Sequence, residues 1–230
     1  CTVLIYYLIP KKFRWCVLIV ANTLFYIYGG AEMIIYIVLA SAVAYVIGRV
    51  MERYFKKQKQ ECEGLERKAK KPIKQKYNKI RRRILVLGVV IILGGLVVTK
   101  YSGFLAENIN SLLGLTGLGS VDYKNIGEFF PAVLGCSYFT LSIIAYMTDV
   151  YRGKFDAEKN FLKLYVFISF FPHIIQGPIE RYDYLAPQLF RENKFKFENI
   201  KTGAMHILWG VFKKIVLAVR IAAVSNYGFE

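Results

Sequence analysis

The chain has 230 residues, of which 55% are hydrophobic, with a mean hydropathy of +0.35 and a formal net charge of +16. A water-soluble domain of this size intersperses apolar and polar residues. Here the apolar residues come in long uncharged blocks, which argues against a soluble enzyme and for helices embedded in lipid.

The chain opens within an apolar stretch, CTVLIYYLIP, without an initiating Met or the basic start and cleavage site of a secretory signal. This stretch reads as the tail of an earlier span, and the chain as part of a longer protein. Residues 15–31 form an uncharged run of 17, residues 33–48 one of 16, residues 84–99 one of 16, and residues 129–148 one of 20. A spanning helix needs about 20 apolar residues, with a range of about 17–25. Arg14, Arg49, Arg83 and Lys100 flank the shorter runs and can extend them by snorkelling to the headgroups. The expected fold is all-α: a polytopic helical membrane protein with broken or re-entrant helices around a central channel.

Residues 49–83 carry 15 Lys and Arg against 4 Glu, a net of +11. Charge alone would also suit nucleic acid, but nothing else in the chain supports that partner. Basic residues gather in cytoplasmic loops, so residues 51–83 are expected to form a cytoplasmic loop attracted to anionic headgroups. The chain then crosses outward through residues 15–31, returns through 33–48, leaves through 84–99 and returns through 129–148. This is a multi-pass topology in the plasma membrane. Residues 101–128 hold Gly103, Gly114, Gly117 and Gly119, and read as a short interfacial helix followed by a loop.

The next stretch is the most informative. GCSYFTLSIIAYMTDVYRGK is followed, after a short polar link, by NFLKLYVFISFFPHIIQGPIERYDYLAPQL. Asp149 and Arg152 close the first run, either as a pair three residues apart or as channel-lining groups. Pro172 and Pro178 interrupt the second run. Each lacks a backbone donor and disfavours helix in its predecessor, and non-helical backbone at membrane depth survives only inside protein or beside water. That makes His173, Gln176, Pro178, Glu180 and Arg181 candidates for lining a channel or substrate path. A structural, hydrogen-bonded role for His173 stays open.

Residues 197–220 read as an amphipathic basic helix. Ile200, Ala204, Ile207, Val211, Ile215 and Ala218 share one face, while His206, Lys213 and Arg220 gather near Trp209 on another. Lys213 and Lys214 are candidates for meeting headgroups, an acidic partner or a phosphate. Cys1, Cys16, Cys62 and Cys136 are widely spaced with no CxxC pair, so packing is expected rather than a disulfide or a metal site. No nucleophile elbow, P-loop, GxGxxG or HExxH occurs, and no bound cofactor is expected.

The ordered series SYFT, DVYRG, FFP-x-x-x-x-GPI and FKK resembles the membrane-bound O-acyltransferase family. The nearest branch contains the bacterial proteins of alginate O-acetylation, peptidoglycan O-acetylation and teichoic acid D-alanyl transfer. The resemblance is strongest over residues 131–222, and it implies the amino-terminal part of a single membrane domain spanning residues 1–230. It also implies an O-acyltransferase that takes an acetyl or D-alanyl group from a cytoplasmic donor, either acetyl-coenzyme A or a carrier-protein thioester. The group passes to hydroxyls of an extracytoplasmic polymer, with an acyl carrier protein and an extracytoplasmic acyltransferase as further implied partners. The family's histidine base lies in a W-H motif. Neither His173 nor His206 matches that motif, so no catalytic residue is assigned in this chain. A transporter or channel is the alternative, and a structural or signalling membrane subunit is a third reading.

Overall fold

A computed structural model describes residues 2–63, 67–116, 135–174, 177, 180–191 and 195–219. The regular structure among them is helical, with no strand, as the expected fold class requires. Helix α1 (Thr2–Leu8) leads through a 3-10 turn at Lys11–Phe13 into α2 (Arg14–Gly29). Arg14 folds back over that junction, donating from Nε to the Ile9 carbonyl at 3.2 Å and capping the rings of Tyr6 and Tyr7. Gly30, at φ 133°, reverses the chain straight into α3 (Ala31–Cys62). Helix α4 (Arg67–Thr116) follows and bends at Tyr101, where φ is −122° and ψ 22°.

Two stretches are long and apolar enough to cross a membrane, Met33–Cys62 and Ala69–Tyr101. The 32 residues of α3 reach about 48 Å at ~1.5 Å per residue, well beyond a hydrocarbon core of ~30 Å. Its apolar half suits lipid, and its basic half projects about 20 Å further. The expected basic loop at residues 51–83 is therefore corrected. Residues 51–62 and 67–83 are helical and extend α3 and α4 beyond their apolar parts. Lys, Arg, Gln and Glu are good helix formers, and Pro72 falls early in α4, where it removes a single backbone hydrogen bond. Along α4, Val86, Leu87, Val90, Ile91 and Leu93 are exposed, a face suited to lipid rather than water.

The core lies where α3 and α4 meet α5 (Cys136–Arg152) and α6 (Phe161–Ile168). Ile37, Ala44, Met51, Phe139, Ile143, Met147 and Leu164 are buried there. Small residues permit the close approach. A Cβ on Gly88 would stand 3.1 Å from both Ile47 and Met147, and one on Gly95 3.1 Å from the Tyr36 hydroxyl. Gly94, beside it, meets nothing.

The apolar run after residue 160 is broken, as expected, but the break begins earlier than Pro172. Helix α6 stops at Ile168, α7 occupies only Phe171–Ile174, and α8 spans Tyr182–Phe190. Pro172 sits within the first turn of α7, where its missing N–H is harmless. Ser169 ends α6 by turning its hydroxyl onto the Tyr165 carbonyl at 2.7 Å.

The chain divides into two compact units, 1–191 and 192–230. The second contains α9 (Phe197–Phe212), which continues as a π turn at Lys213–Ala218. No residue of α9 is buried, and its Ile200, Ile207, Leu208 and Val211 are all exposed.

Candidate functional site

The site is built on the end of α5. Asp149 is 3% exposed. Its carboxylate accepts from Arg181 Nη2 at 3.0 Å and Nε at 3.3 Å, and pairs with Lys154 Nζ at 3.1 Å. The sequence around it produces this arrangement. Gly153 takes a left-handed φ of 72°, its N–H bonding the Val150 carbonyl and the Lys154 N–H the Asp149 carbonyl. That closes the helix and turns Lys154 back over the carboxylate. A Cβ at Gly153 would lie 2.9 Å from Phe55 Cζ, so both the φ and the close packing require glycine.

Of the two readings left open for Asp149, the pair with Arg152 does not form. The reversal at Gly153 brings Lys154 to the carboxylate, and the chain before α8 supplies Arg181 with a two-pronged guanidinium geometry. Arg152 is exposed and lines a cleft with Arg81 and Tyr151. The Arg181 side chain is 52% exposed, so part of its guanidinium stays accessible after Asp149 is satisfied.

A polar link secures the same corner. Tyr182, next to Arg181, donates its hydroxyl to Glu158. Burial, then this carboxylate, pushes the Tyr182 hydroxyl well above the usual tyrosine range. The Glu158 N–H donates to the Tyr146 hydroxyl at 3.0 Å, and its carboxylate accepts from Asn160 N–H at 2.9 Å. Asn160 in turn caps α6 through Leu162 N–H at 2.9 Å. The Tyr182 ring lies between those of Tyr146, Phe155 and Phe167, at 5.1, 5.2 and 5.0 Å.

Asn22, not singled out from the sequence, holds the break between α6 and α7. It is fully buried in α2. Its amide donates to the Val166 carbonyl at 3.3 Å and the Ser169 hydroxyl at 3.1 Å, and its oxygen accepts from Phe171 N–H at 3.4 Å. Such partners are what a broken helix needs in the absence of water. The available signal was an amide set in an apolar run.

His173 is half-buried, edge-on to Phe170 at 5.0 Å. It lines neither the basic cleft nor the apolar one along α1 and α2. Its carbonyl accepts from Gly177 N–H at 3.0 Å, and a Cβ at Gly177 would lie 2.6 Å from His173 Cα. Gln176 and Pro178 lie outside the described residues, and Glu180 is half-buried beside Arg181. Within the second unit, Lys213 lies 5.4 Å over the Trp209 ring, and Lys214 follows it in the π turn. Cys62 and Cys136 are buried and Cys16 is half-buried, while Cys1 lies outside the described residues.

This is a helical membrane fold with a buried carboxylate clamped between a helix end and a broken helix. Comparison with known proteins places it more closely. A protein named probable alginate O-acetylase AlgI from Pseudomonas syringae pv. tomato is 28% identical over 225 residues, 98% of this chain and 39% of that one. Its namesake from Azotobacter vinelandii is 26% identical over the same share of this chain and 40% of its own. The peptidoglycan O-acetyltransferase of Helicobacter pylori is 27% identical over 179 residues, 66% of this chain and 32% of that protein. The chain thus spans about two-fifths of the length of the alginate relatives it matches. No family model and no solved structure matches it. The resemblance to the membrane-bound O-acyltransferases, drawn from the ordered motifs, is borne out by these relatives.

Proposed function

We propose that this chain is part of a membrane-bound O-acyltransferase that esterifies hydroxyls of an extracytoplasmic cell-surface polymer. The similarity to O-acetylating proteins along 98% of the chain carries the reading. The geometry supports it, because Asp149 of the DVYRG motif pairs with Arg181, two residues beyond the GPI that ends the FFP-x-x-x-x-GPI motif. Acetyl is the group in the relatives' names, and D-alanyl is the other group the resemblance implies. The donor is a cytoplasmic thioester, on coenzyme A or a carrier protein. In the transfer, the acceptor oxygen attacks the acyl carbon as a base takes its proton, and the carbon–sulfur bond breaks to release a thiol. The basic extension of α3 and α4 lies in the cytoplasm by the positive-inside rule. The described residues supply a rigid corner and a partly exposed Arg181, which suits a carbonyl or an anionic group. A transporter reading has the broken helix and the polar groups buried beside it in its favour, but no relative named for transport.

The test uses the full-length protein. Its gene is deleted, and O-acetyl and D-alanyl esters on surface polysaccharide, peptidoglycan and teichoic acid are quantified after mild alkaline release. Loss of one ester class, restored by complementation, is the expected result. Unchanged esters on all of these polymers would remove the acyltransferase reading.

A further inference from the structure

The basic extensions of α3 and α4 enclose a cleft of about 500 Å³ at the end of α5, away from any function assigned above. Lys59, Lys70, Lys74, Arg81 and Arg152 line it, with Asn78 and Gln58, and no carboxylate is among the described residues that line it. Two acids of the basic extensions are engaged elsewhere. Glu52 pairs with Arg49 and Lys56, and Glu61 accepts from the Tyr77 hydroxyl.

Arg81 distinguishes this cleft from a solvated basic surface. It is 3% exposed, held by the Tyr151 carbonyl and gripped between the rings of Phe55 and Tyr151 at 4.5 and 5.1 Å. These contacts orient the guanidinium without neutralising it. Its Nε–H is buried and without a partner, and so is Oε1 of Gln58 on the same cleft. A buried cation normally has a counter-charge, and a buried N–H normally has an acceptor. A rotated Gln58 carboxamide would offer a second donor. An acceptor-only anion with several oxygens answers all of these features at once.

We propose that the cleft binds a phosphate group, with Arg81 as the fixed donor and Lys70, Lys74 and Arg152 as the charges that close over it. Two sources carry that chemistry at a membrane face. One is the phosphates of a nucleotide-type acyl donor, and the other is the headgroup of an anionic phospholipid. The cleft needs no particular transfer reaction, so its test reads binding rather than activity.

The test uses full-length protein in phosphatidylcholine nanodiscs, titrated with coenzyme A, with inorganic pyrophosphate and with phosphate-free pantetheine. A second preparation places it in phosphatidylglycerol nanodiscs. Lys70→Gln with Lys74→Gln, and Arg152→Gln separately, remove exposed charges from the cleft. Lys57→Gln with Lys76→Gln removes the same charge from exposed positions outside it. The expected result is binding of coenzyme A and pyrophosphate but not pantetheine, weakened about tenfold or more by the cleft variants and under about twofold by the control. If phosphatidylglycerol abolishes that binding in the wild type and the control variant alike, the cleft's natural phosphate is the lipid's. Equal losses in cleft and control variants would overturn the proposal, since a diffuse field would then explain the attraction. Pantetheine binding as tightly as coenzyme A, or no binding of either phosphate probe in both lipids, would overturn it too.

Discussion

Asp149→Asn tests the corner at the root of the candidate site, because it keeps the shape and removes the charge. Truncating one partner of a fully buried ion pair costs about 3–5 kcal/mol, whereas an exposed pair contributes about 0–1 kcal/mol. Asp149 is 5% exposed at its side chain, but Arg181 and Lys154 are 52% and 33% exposed. The stranded cations can therefore rehydrate, and the amide oxygen still accepts one bond. The expected loss falls between those limits, at about 2 kcal/mol. It should partition unevenly. Arg181 makes a two-pronged contact and Lys154 a single one, so a double-mutant cycle of Asp149→Asn with Arg181→Gln should show coupling of about 1 kcal/mol. The cycle with Lys154→Gln should give about half that, and the cycle with Arg152→Gln about zero. The assay is reversible unfolding of the purified protein in mixed micelles, followed by tryptophan fluorescence. Coupling to Arg152 equal to or above that to Arg181 would refute the geometry and favour the helix-end pair, one of the two readings the sequence left open.

Two further substitutions probe the backbone. Asn22→Leu strands the Phe171 N–H and the Val166 carbonyl at the break, so it should destabilise by about 2–3 kcal/mol and speed amide exchange at Phe171 above neighbouring positions; uniform exchange along α6 and α7 would contradict the role given to Asn22. Gly153→Ala forces a side chain into a left-handed φ and against Phe55, for a loss of about 2 kcal/mol in the same unfolding assay, of which Phe55→Leu should return part; a neutral Gly153→Ala would mean that the turn is not built as described.

Much of this fold was legible because it is written in blocks. The uncharged runs at residues 33–48 and 84–99 fall within helices, that at 15–31 is helical up to the reversal at Gly30, and the prolines marked a region that is indeed broken. Less legible was anything decided between distant segments. Residues 51–83 read as a loop because their charges exclude them from lipid, yet exclusion from lipid does not exclude helix. Asp149 was read either as a partner of Arg152, three residues on, or as a channel-lining group, whereas the structure pairs it with Arg181, 32 residues on. Sequence spacing favours local pairs, and a left-handed glycine together with a broken helix overrode that here. Asn22 was passed over because one amide in an apolar run usually packs, and its partners lie up to 149 residues away.

Three of the polar groups buried in this chain show a common logic. Asn22 is bound to the freed backbone of a helix break, Asp149 to two cations, and Glu52 to the cations before and after it in α3. In each case a group that would be costly inside an apolar body is matched by one the chain itself supplies. Arg81 departs from that pattern. It is as buried as Asp149, lies beside it in the fold through the Val150 and Tyr151 carbonyls, and has aromatic faces where a carboxylate would be expected. Among the described residues the buried carboxylates Asp149 and Glu52 each have cations of the chain's own, and a buried cation left open toward a cleft with no described carboxylate in its lining points to an anion supplied from outside.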